Sequence, residues 1–346
     1  MQLTGRIRSL ILFDIGEEIL LPRVRQILDL SEPERASSAV RPGPDYVRFE
    51  RPPVTESLPG AQIKYYDYGV VSYESEEEFC CDWQVLIAET SRRVMDPSAE
   101  GRALQAIRPH VERIREAIVK PYVDWLSEDY HFVTVTPAAG TAQDLLTRYG
   151  GEIAQIVRGE PLPLSESERQ EVLQSRISYY PNDLLVVGWS AAFLYDTLPA
   201  AAPTLQLLEY ANTQLLELRH YDELLTRVLA GVYPTLGKRG IFRRWRLAAE
   251  AEKLNTIRLD VIELTERLDN SIKFVSDMFY SRMYRMASAR VGVPDYRRLV
   301  EQKLQTAAAL YQFMVDQFHQ ARGFLLEVLV VIILLVEIVP LFWGRH

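Results

Sequence analysis

The chain has 346 residues, 48% hydrophobic and 25% charged, with a formal net charge of −8. That is the composition of an ordinary globular protein with room for an α/β domain and a further helical region, and it excludes a generic polyanion binder. The two cysteines, adjacent at Cys80 and Cys81, fit neither a disulfide framework nor a four-ligand zinc site, and suit a reducing compartment.

Residues 3–13 read as a first strand, and the stretch to Leu28 as a short helix beginning near Pro22. Residues 31–60 hold six prolines and read as loop or extended chain. Residues 62–74 form a second strand signal rich in aromatic and β-branched residues. Gly69 within it indicates a bulge or a close backbone approach. Asp67, among Tyr65, Tyr66 and Tyr68, suits a structural bond to a tyrosine hydroxyl better than a general base. Ser75 and Glu78 then have the spacing of a capping box that opens a helix carrying Phe79, Trp83, Leu86 and Ile87.

A long helix is expected over 101–125, a third strand at 131–136, and a helix over 141–157. A second capping box lies at Ser165 to Glu168. Residues 183–195 read as one strand, apolar on both faces and so central. Strands mixed with helices to residue 197 give a mixed α/β domain (1–197). A linking helix and break follow (198–240).

From 241 to 322 the apolar positions fall into heptads. One series is Leu254, Val261, Leu268 and Val275, flanked by Ile257, Leu264, Ser271 and Met278. After a break at Gly292 a second runs Val300, Leu304, Ala307, Tyr311, Met314, Phe318, Ala321 and Leu325. Such a repeat predicts a coiled-coil stalk or antiparallel hairpin, with a homo-oligomer as the natural consequence.

Residues 323–344, GFLLEVLVVIILLVEIVPLFWG, contain no Lys, Arg or Asp. Roughly 20 apolar helical residues cross a bilayer, so a single transmembrane helix is expected, with Phe324, Leu325, Glu327, Val331, Leu335 and Glu337 in the anchor. No secretory signal precedes it, so the bulk of the chain is placed in the cytoplasm at the inner membrane, or at the mitochondrial inner membrane in a eukaryote. The overall expectation is an α+β protein with a stalk and one membrane helix.

No nucleotide-binding, hydrolase or metalloprotease motif is present, and no cofactor or metal is expected. His220 with Asp222 and Glu223 is weak as a metal set and plausible as a solvated helix face. Lys238, Arg239, Arg243, Arg244 and Arg246, with Trp245 interleaved, suit RNA phosphates or anionic lipid; no DNA partner is expected.

Several short motifs converge on one family. YDYGVVSYESEEEF (66–79), LLEVLVVIILLVEIV (325–339), ERLD (266–269) and ILFDIGEEI (11–19) resemble segments of the required-for-meiotic-nuclear-division family, although Val328 stands where that family often has Trp. The resemblance implies a membrane-anchored accessory protein with no enzyme activity, a relative of a protein that supports organellar translation at ribosomes. The leading expectation is therefore an oligomeric scaffold that localises a ribosome, RNA or other macromolecule at the membrane. The alternative is a channel component outlined like the CorA magnesium transporters, with Glu337 in the pore. An enzyme whose site is illegible in the sequence is a third.

Overall fold

The structure of the protein is a computed structural model. The structure describes residues 2–30, 47–49, 51–137, 140–236, 243–270, 272–274 and 278–343; the side chains of 47–49, 233–250, 264, 267–277, 317–326 and 336–346 lie outside the description. In chain order the elements are β1 (Leu3–Ile19), α1 (Leu21–Leu28), β2 (Val47–Phe49), β3 (Val54–Leu58), β4 (Ala61–Tyr65), β5 (Val70–Cys81), α2 (Trp83–Val94), α3 (Ala99–Arg113), β6 (Ile118–Val135), α4 (Ala142–Arg158), α5 (Glu166–Gln174), β7 (Arg176–Ile177), β8 (Leu184–Val187) and β9 (Ala191–Tyr195). Then come α6 (Leu198–Leu236), α7 (Arg243–Asn270), β10 (Ile272–Phe274), α8 (Met278–Val291) and α9 (Val293–Trp343). They divide into two compact units, one of residues 1–220 and 264–297, the other of 221–263 and 298–346.

The first unit is built on an eight-stranded sheet of order β3-β4-β5-β1-β6-β9-β8-β7. Every neighbouring pair is antiparallel except β6–β9. β10 and β2 pair separately. β1 and β6 are the long central pair, and their side chains alternate between two faces. On one face Leu3, Ile7, Ile11, Phe13 and Ile15 are buried under helices. Trp83, Leu86 and Ile87 of α2, with Ile153 and Ile156 of α4, cover one end; Val24 of α1, with Ile107 and Val111 of α3, cover the other. The opposite face carries Leu10, Leu12 and Asp14 of β1 and is covered by α6, whose Glu209 and His220 reach the sheet.

Gly69 shows why a glycine stands at the mouth of β5. Its φ is +94°, and an added Cβ would lie 1.7 Å from the Gly16 carbonyl oxygen. The Ile15 N–H donates to the Gly69 carbonyl at 3.0 Å, so the turn is bonded onto the bulged part of β1.

Several local expectations are corrected. Ser75 to Glu78 caps no helix: β5 runs on to Cys81, and Glu76 and Glu78 alternate with the sheet pleat to meet Arg6 and Arg8. The helix start is Asp82, whose carboxylate accepts the Val85 N–H at 3.0 Å. The helix expected over 101–125 ends at Arg113, because Val119, Tyr122, Val123 and Trp125 favour the pleated surface of β6. The stretch 183–195 is the β8–β9 hairpin around Gly188. At Ser165 the expectation agrees with the structure, since its side chain accepts the Glu168 N–H at 3.2 Å.

The second unit overturns the stalk. The first heptad series does not continue in one helix: α7 ends at Asn270, where Asp269 and Asn270 are weak helix formers by residue type. Leu254 and Val261 are buried; the side chain of Leu268, and Val275 altogether, lie outside the described residues. In α9, Val300, Ala307 and Met314 are buried and Leu304 and Tyr311 half-buried, while the Phe318 side chain is outside the description. Ala307 and Met314 pack with Leu229 and Val232 of α6 and Ala251 and Leu254 of α7. Among the described residues, the heptad positions Leu254, Ala307, Tyr311 and Met314 are thus used in packing among helices of one chain, and no extended stalk is seen.

The membrane helix is also corrected. Among the described residues no helix is long and apolar enough to cross a membrane. The stretch 323–344 lies within α9 apart from its last residue, and its described side chains run from Glu327 to Leu335, about half of the ~20 residues that a bilayer core requires. Of the expected anchor, Glu327, Val331 and Leu335 are exposed, while the side chains of Phe324, Leu325 and Glu337 lie outside the description. The tail anchor and the inner-membrane or mitochondrial-membrane placement that rested on it are withdrawn with it.

Candidate functional site

Among the described residues, a dense concentration of ionisable groups lies on the α6-covered face of the sheet. The register sets Arg6 opposite Glu78, Arg8 opposite Glu76, Leu10 opposite Glu74 and Leu12 opposite Ser72. β4 adds Gln62 beside Glu74 and Lys64 beside Ser72. Alternation puts all of these groups on one face. The result is a charge ladder running from solvent to core. Arg6 bonds Glu76 at 2.6 Å and Glu78 at 2.8 Å, and Arg8 bonds Glu76 at 2.7 Å and lies 3.5 Å from Glu74.

At its inner end, Glu74 is 2% exposed and meets Glu209 of α6, 3% exposed. Lys64 lies between them, with Nζ 2.5 Å from Glu209 Oε2 and paired also with Glu74. Gln62 donates to Glu74 at 2.7 Å; Tyr66 and Ser72 donate to Glu209, the latter at 3.2 Å. Tyr68 continues the network to Thr213 at 2.8 Å and sets its ring edge against Tyr210.

One ammonium cannot neutralise two buried carboxylates, so the pair divides. Burial first, then the charge of Glu209, pushes Glu74 up to about 7, with Lys64 opposing. Burial also penalises Glu209, but Lys64 and hydrogen bonds from Glu74, Lys64 and Tyr66 outweigh it and hold that carboxyl below its ordinary value. Burial would lower Lys64, and the two carboxylates overcome it. Near neutrality the pair shares one proton. This is the proton inventory of a general acid–base site. Yet Glu74 and Glu209 are enclosed and hydrogen-bonded by neighbouring side chains, so the cluster serves as a polar clamp between α6 and the sheet.

Two further constellations lie nearby. His220 Nδ1 is 2.7 Å from Asp14, and the His220 ring stacks on Tyr122 at 4.5 Å. Burial pushes Asp14 well up, with the Gly16 N–H opposing. His131 Nδ1 lies 3.1 Å from Ser9 Oγ and Nε2 3.4 Å from Asp129. That has the members of a Ser–His–Asp triad with the ring nitrogens exchanged, since hydrolases set Nε2 on serine and Nδ1 on aspartate. It orders the β1–β6 pair.

The residues singled out in the sequence do not converge. His220 engages Asp14 in the first unit, whereas Asp222 binds Lys303 at 2.5 Å in the second. Among the described residues no group of three His, Cys, Asp or Glu could hold a metal ion. Asp67 meets the Arg51 guanidinium at 3.3 Å. Lys238 and Arg239 lie outside the described residues, and Arg243, Arg244, Trp245 and Arg246 open α7 with their side chains outside the description. Sequence reasoning does not find Lys64, Glu74 and Glu209. The available signal is alternation, which places Lys64 and Glu74 on one face of their strands, and a glutamate amid leucines at Glu209.

The second unit presents a different feature. Val328 to Leu335 in α9 are eight consecutive aliphatic residues, each between 40% and 57% exposed. Eight residues make more than two helical turns, so apolar surface is presented on every side of this stretch.

A mixed sheet with one helix-packed apolar face and one clamped polar face defines the class of domain. Residues 4–200 match the family described as "Uncharacterized protein MJ0711, N-terminal domain", and the chain belongs to it. Uncharacterized protein MJ0711 of Methanocaldococcus jannaschii is 23% identical over 189 residues, 54% of this chain and 58% of that protein. The chain therefore covers little more than half of that relative's length. No solved structure matches.

Proposed function

We propose that this protein works by assembly: copies of the chain associate through the apolar end of α9, and the assembly acts as a scaffold for a macromolecular partner. The observation that supports this is the run Val328–Leu335. Scattered exposed aliphatic residues are ordinary, but a contiguous apolar surface of this kind marks an interaction site. Fully burying an aliphatic side chain yields about 1.5–3 kcal/mol. Covering the exposed half of eight such side chains therefore yields on the order of 8 kcal/mol per copy. Two copies together exceed the lower estimates of association cost, about 4 kcal/mol, and match the upper ones near 15 kcal/mol. A second copy fits because it brings the same apolar helix, so neither partner has to set a charged surface against it. The expected RNA partner rested on residues 238–246, which lie outside the described residues or side chains, and the expected ribosome on the family resemblance; neither forms part of this proposal.

Light scattering on the full chain tests the reading. The wild type is expected at a defined multiple of 39.8 kDa, and Ile332→Lys with Leu335→Lys at the single-chain mass with an unchanged melting profile. A wild type already at the single-chain mass would sink the proposal. So would a particle whose extra mass is lipid or another protein.

A further inference from the structure

A second binding feature lies in the first unit and is independent of the assembly. Between the loop before β8, the C-terminal end of β9, the start of α6 and the start of α8 there is a cavity of about 310 Å³. This is at the lower end of the range for small-molecule sites. Four aromatic rings line it. Tyr179 meets Tyr180 edge-on at 4.7 Å and 77°, and Phe279 at 4.9 Å and 76°. Phe279 in turn meets Tyr280 at 5.6 Å and 75°. Successive rings at right angles form the corner of a box. Tyr179 and Tyr180 are also 56% and 62% exposed, unusual for two adjacent aromatic residues with no binding role.

Two carboxylates share the cavity with these rings. Asp183 accepts the N–H groups of Tyr179 and Tyr180 at 2.7 and 2.8 Å, which fixes both the carboxylate and the backbone that carries the rings. Asp196 accepts the Thr197 N–H at 2.7 Å. Among the described residues lining the cavity none is Lys, Arg or His. Elsewhere on this surface carboxylates are paired with arginines, as at Glu171 with Arg290 and Glu166 with Arg169. The start of α8 offers at most about half an elementary positive charge, against two full carboxylates. Burial pushes Asp196 above its ordinary value, the Thr197 N–H opposes this, and the neighbouring Asp183 charge adds to the rise.

We propose that this cavity binds a small organic cation, an alkyl- or quaternary ammonium group set against the Tyr179, Tyr180 and Phe279 rings with Asp183 and Asp196 as counter-ions. The ring quadrupole attracts a cation at the face, and a quaternary ammonium, weakly hydrated, loses little on entering. An anionic ligand would meet two like charges. A neutral apolar ligand of the same shape would gain contact area and nothing from the carboxylates.

Titration calorimetry on the full chain distinguishes these cases, with choline chloride as the probe, its neutral isostere 3,3-dimethylbutan-1-ol as the comparison and sodium chloride as the ionic-strength control. Choline is expected to bind saturably and at least tenfold more tightly than the isostere. Asp196→Asn, a half-buried site whose substitution leaves the fold in place, should weaken choline several-fold and leave the isostere unchanged. Tyr179→Leu with Phe279→Leu should weaken choline at least tenfold while keeping the apolar volume. Equal affinity for choline and its isostere would overturn the proposal, as would no saturable heat from choline. Choline binding untouched by Asp196→Asn would overturn the counter-ion role and the proposal with it.

Discussion

The two faces of the central sheet solve the same packing problem with opposite chemistry. On one, Ile7, Ile11, Phe13 and Ile15 of β1 meet the apolar sides of the covering helices. On the other, Arg6, Arg8 and Asp14 of the same strand meet carboxylates or a histidine, and α6 is clamped down through Lys64, Glu74, Glu209, Tyr66 and Ser72. The first face depends on volume, which is indifferent to pH. The second depends on where protons sit. Burying charge is no shortcut to stability, because desolvation can exceed the Coulomb gain. What the polar face adds is register: only one placement of α6 sets Glu209 between Lys64 and Tyr66.

The largest effects come from breaking each face once. Phe13→Ala removes a fully buried ring and should cost about 3–5 kcal/mol at any pH where the chain folds. Lys64→Met should cost a similar ~3–5 kcal/mol above pH 7, because it strands two buried carboxylates. That second loss should shrink as pH falls and both acids take up protons. Denaturant melts of both variants at pH 5 and pH 8 make the comparison. Equal costs for Lys64→Met at the two pH values would mean the polar face, too, is held by volume.

Next in size is the contribution of Glu74. Its folded carboxyl titrates at about 7 against 4.5 for the free group. A raised value means the folded state holds the proton more tightly. The associated stability is complete below pH 4.5, declines as pH rises, and is gone above about 7. The difference corresponds to about 3 kcal/mol at most. Asp14, also raised, adds to the same slope from its own ordinary value of 3.8 upward. Glu209, lowered, acts in the opposite sense and only below 4.5. Glu74→Gln, which keeps the shape and removes the titration, should therefore flatten the fall in melting temperature between pH 5 and 7. An undiminished slope in that variant would assign the titration elsewhere.

How much of this is legible in the sequence follows the same division. The apolar face is, because continuous apolar runs such as LILFDI and the aliphatic stretches of β8 and β9 carry a local strand signal. The polar face is not. Glu74 and Glu76 alternate as a strand requires, yet Ser75 to Glu78 also has capping-box spacing, and only the position of β1 decides between them. Glu209 lies over a hundred residues from Lys64 and Glu74, so no spacing rule could join them. The heptads in α7 and α9 mark apolar seams, but a seam does not say whether its partner is another chain. Here α6, α7 and α9 of the same chain supply it.

The finest version of the comparison lies in two neighbouring residues of β5. Val71 faces the apolar side among Ile11, Phe13 and Ile63, and Ser72 faces α6, its hydroxyl donating to Glu209 at 3.2 Å. Val71→Ala leaves a small cavity and should cost about 2 kcal/mol, the low end for truncating a buried aliphatic. Ser72→Ala removes one hydrogen bond to a charged acceptor. Such bonds contribute about 1.5–3 kcal/mol, and the low end applies here, since Lys64 and Tyr66 still hold that carboxylate. The two costs are close enough that magnitude alone would not separate them, but their pH dependence would. The Val71→Ala cost should be the same at pH 4 and pH 8. The Ser72→Ala cost should fall in acid, where Glu74 is protonated and supplies Glu209 with a further donor. Chemical denaturation of both variants at the two pH values decides the matter within a single strand. If Ser72→Ala were as flat as Val71→Ala, its hydroxyl would be contributing packing alone, and the clamp would rest on Lys64 and Tyr66.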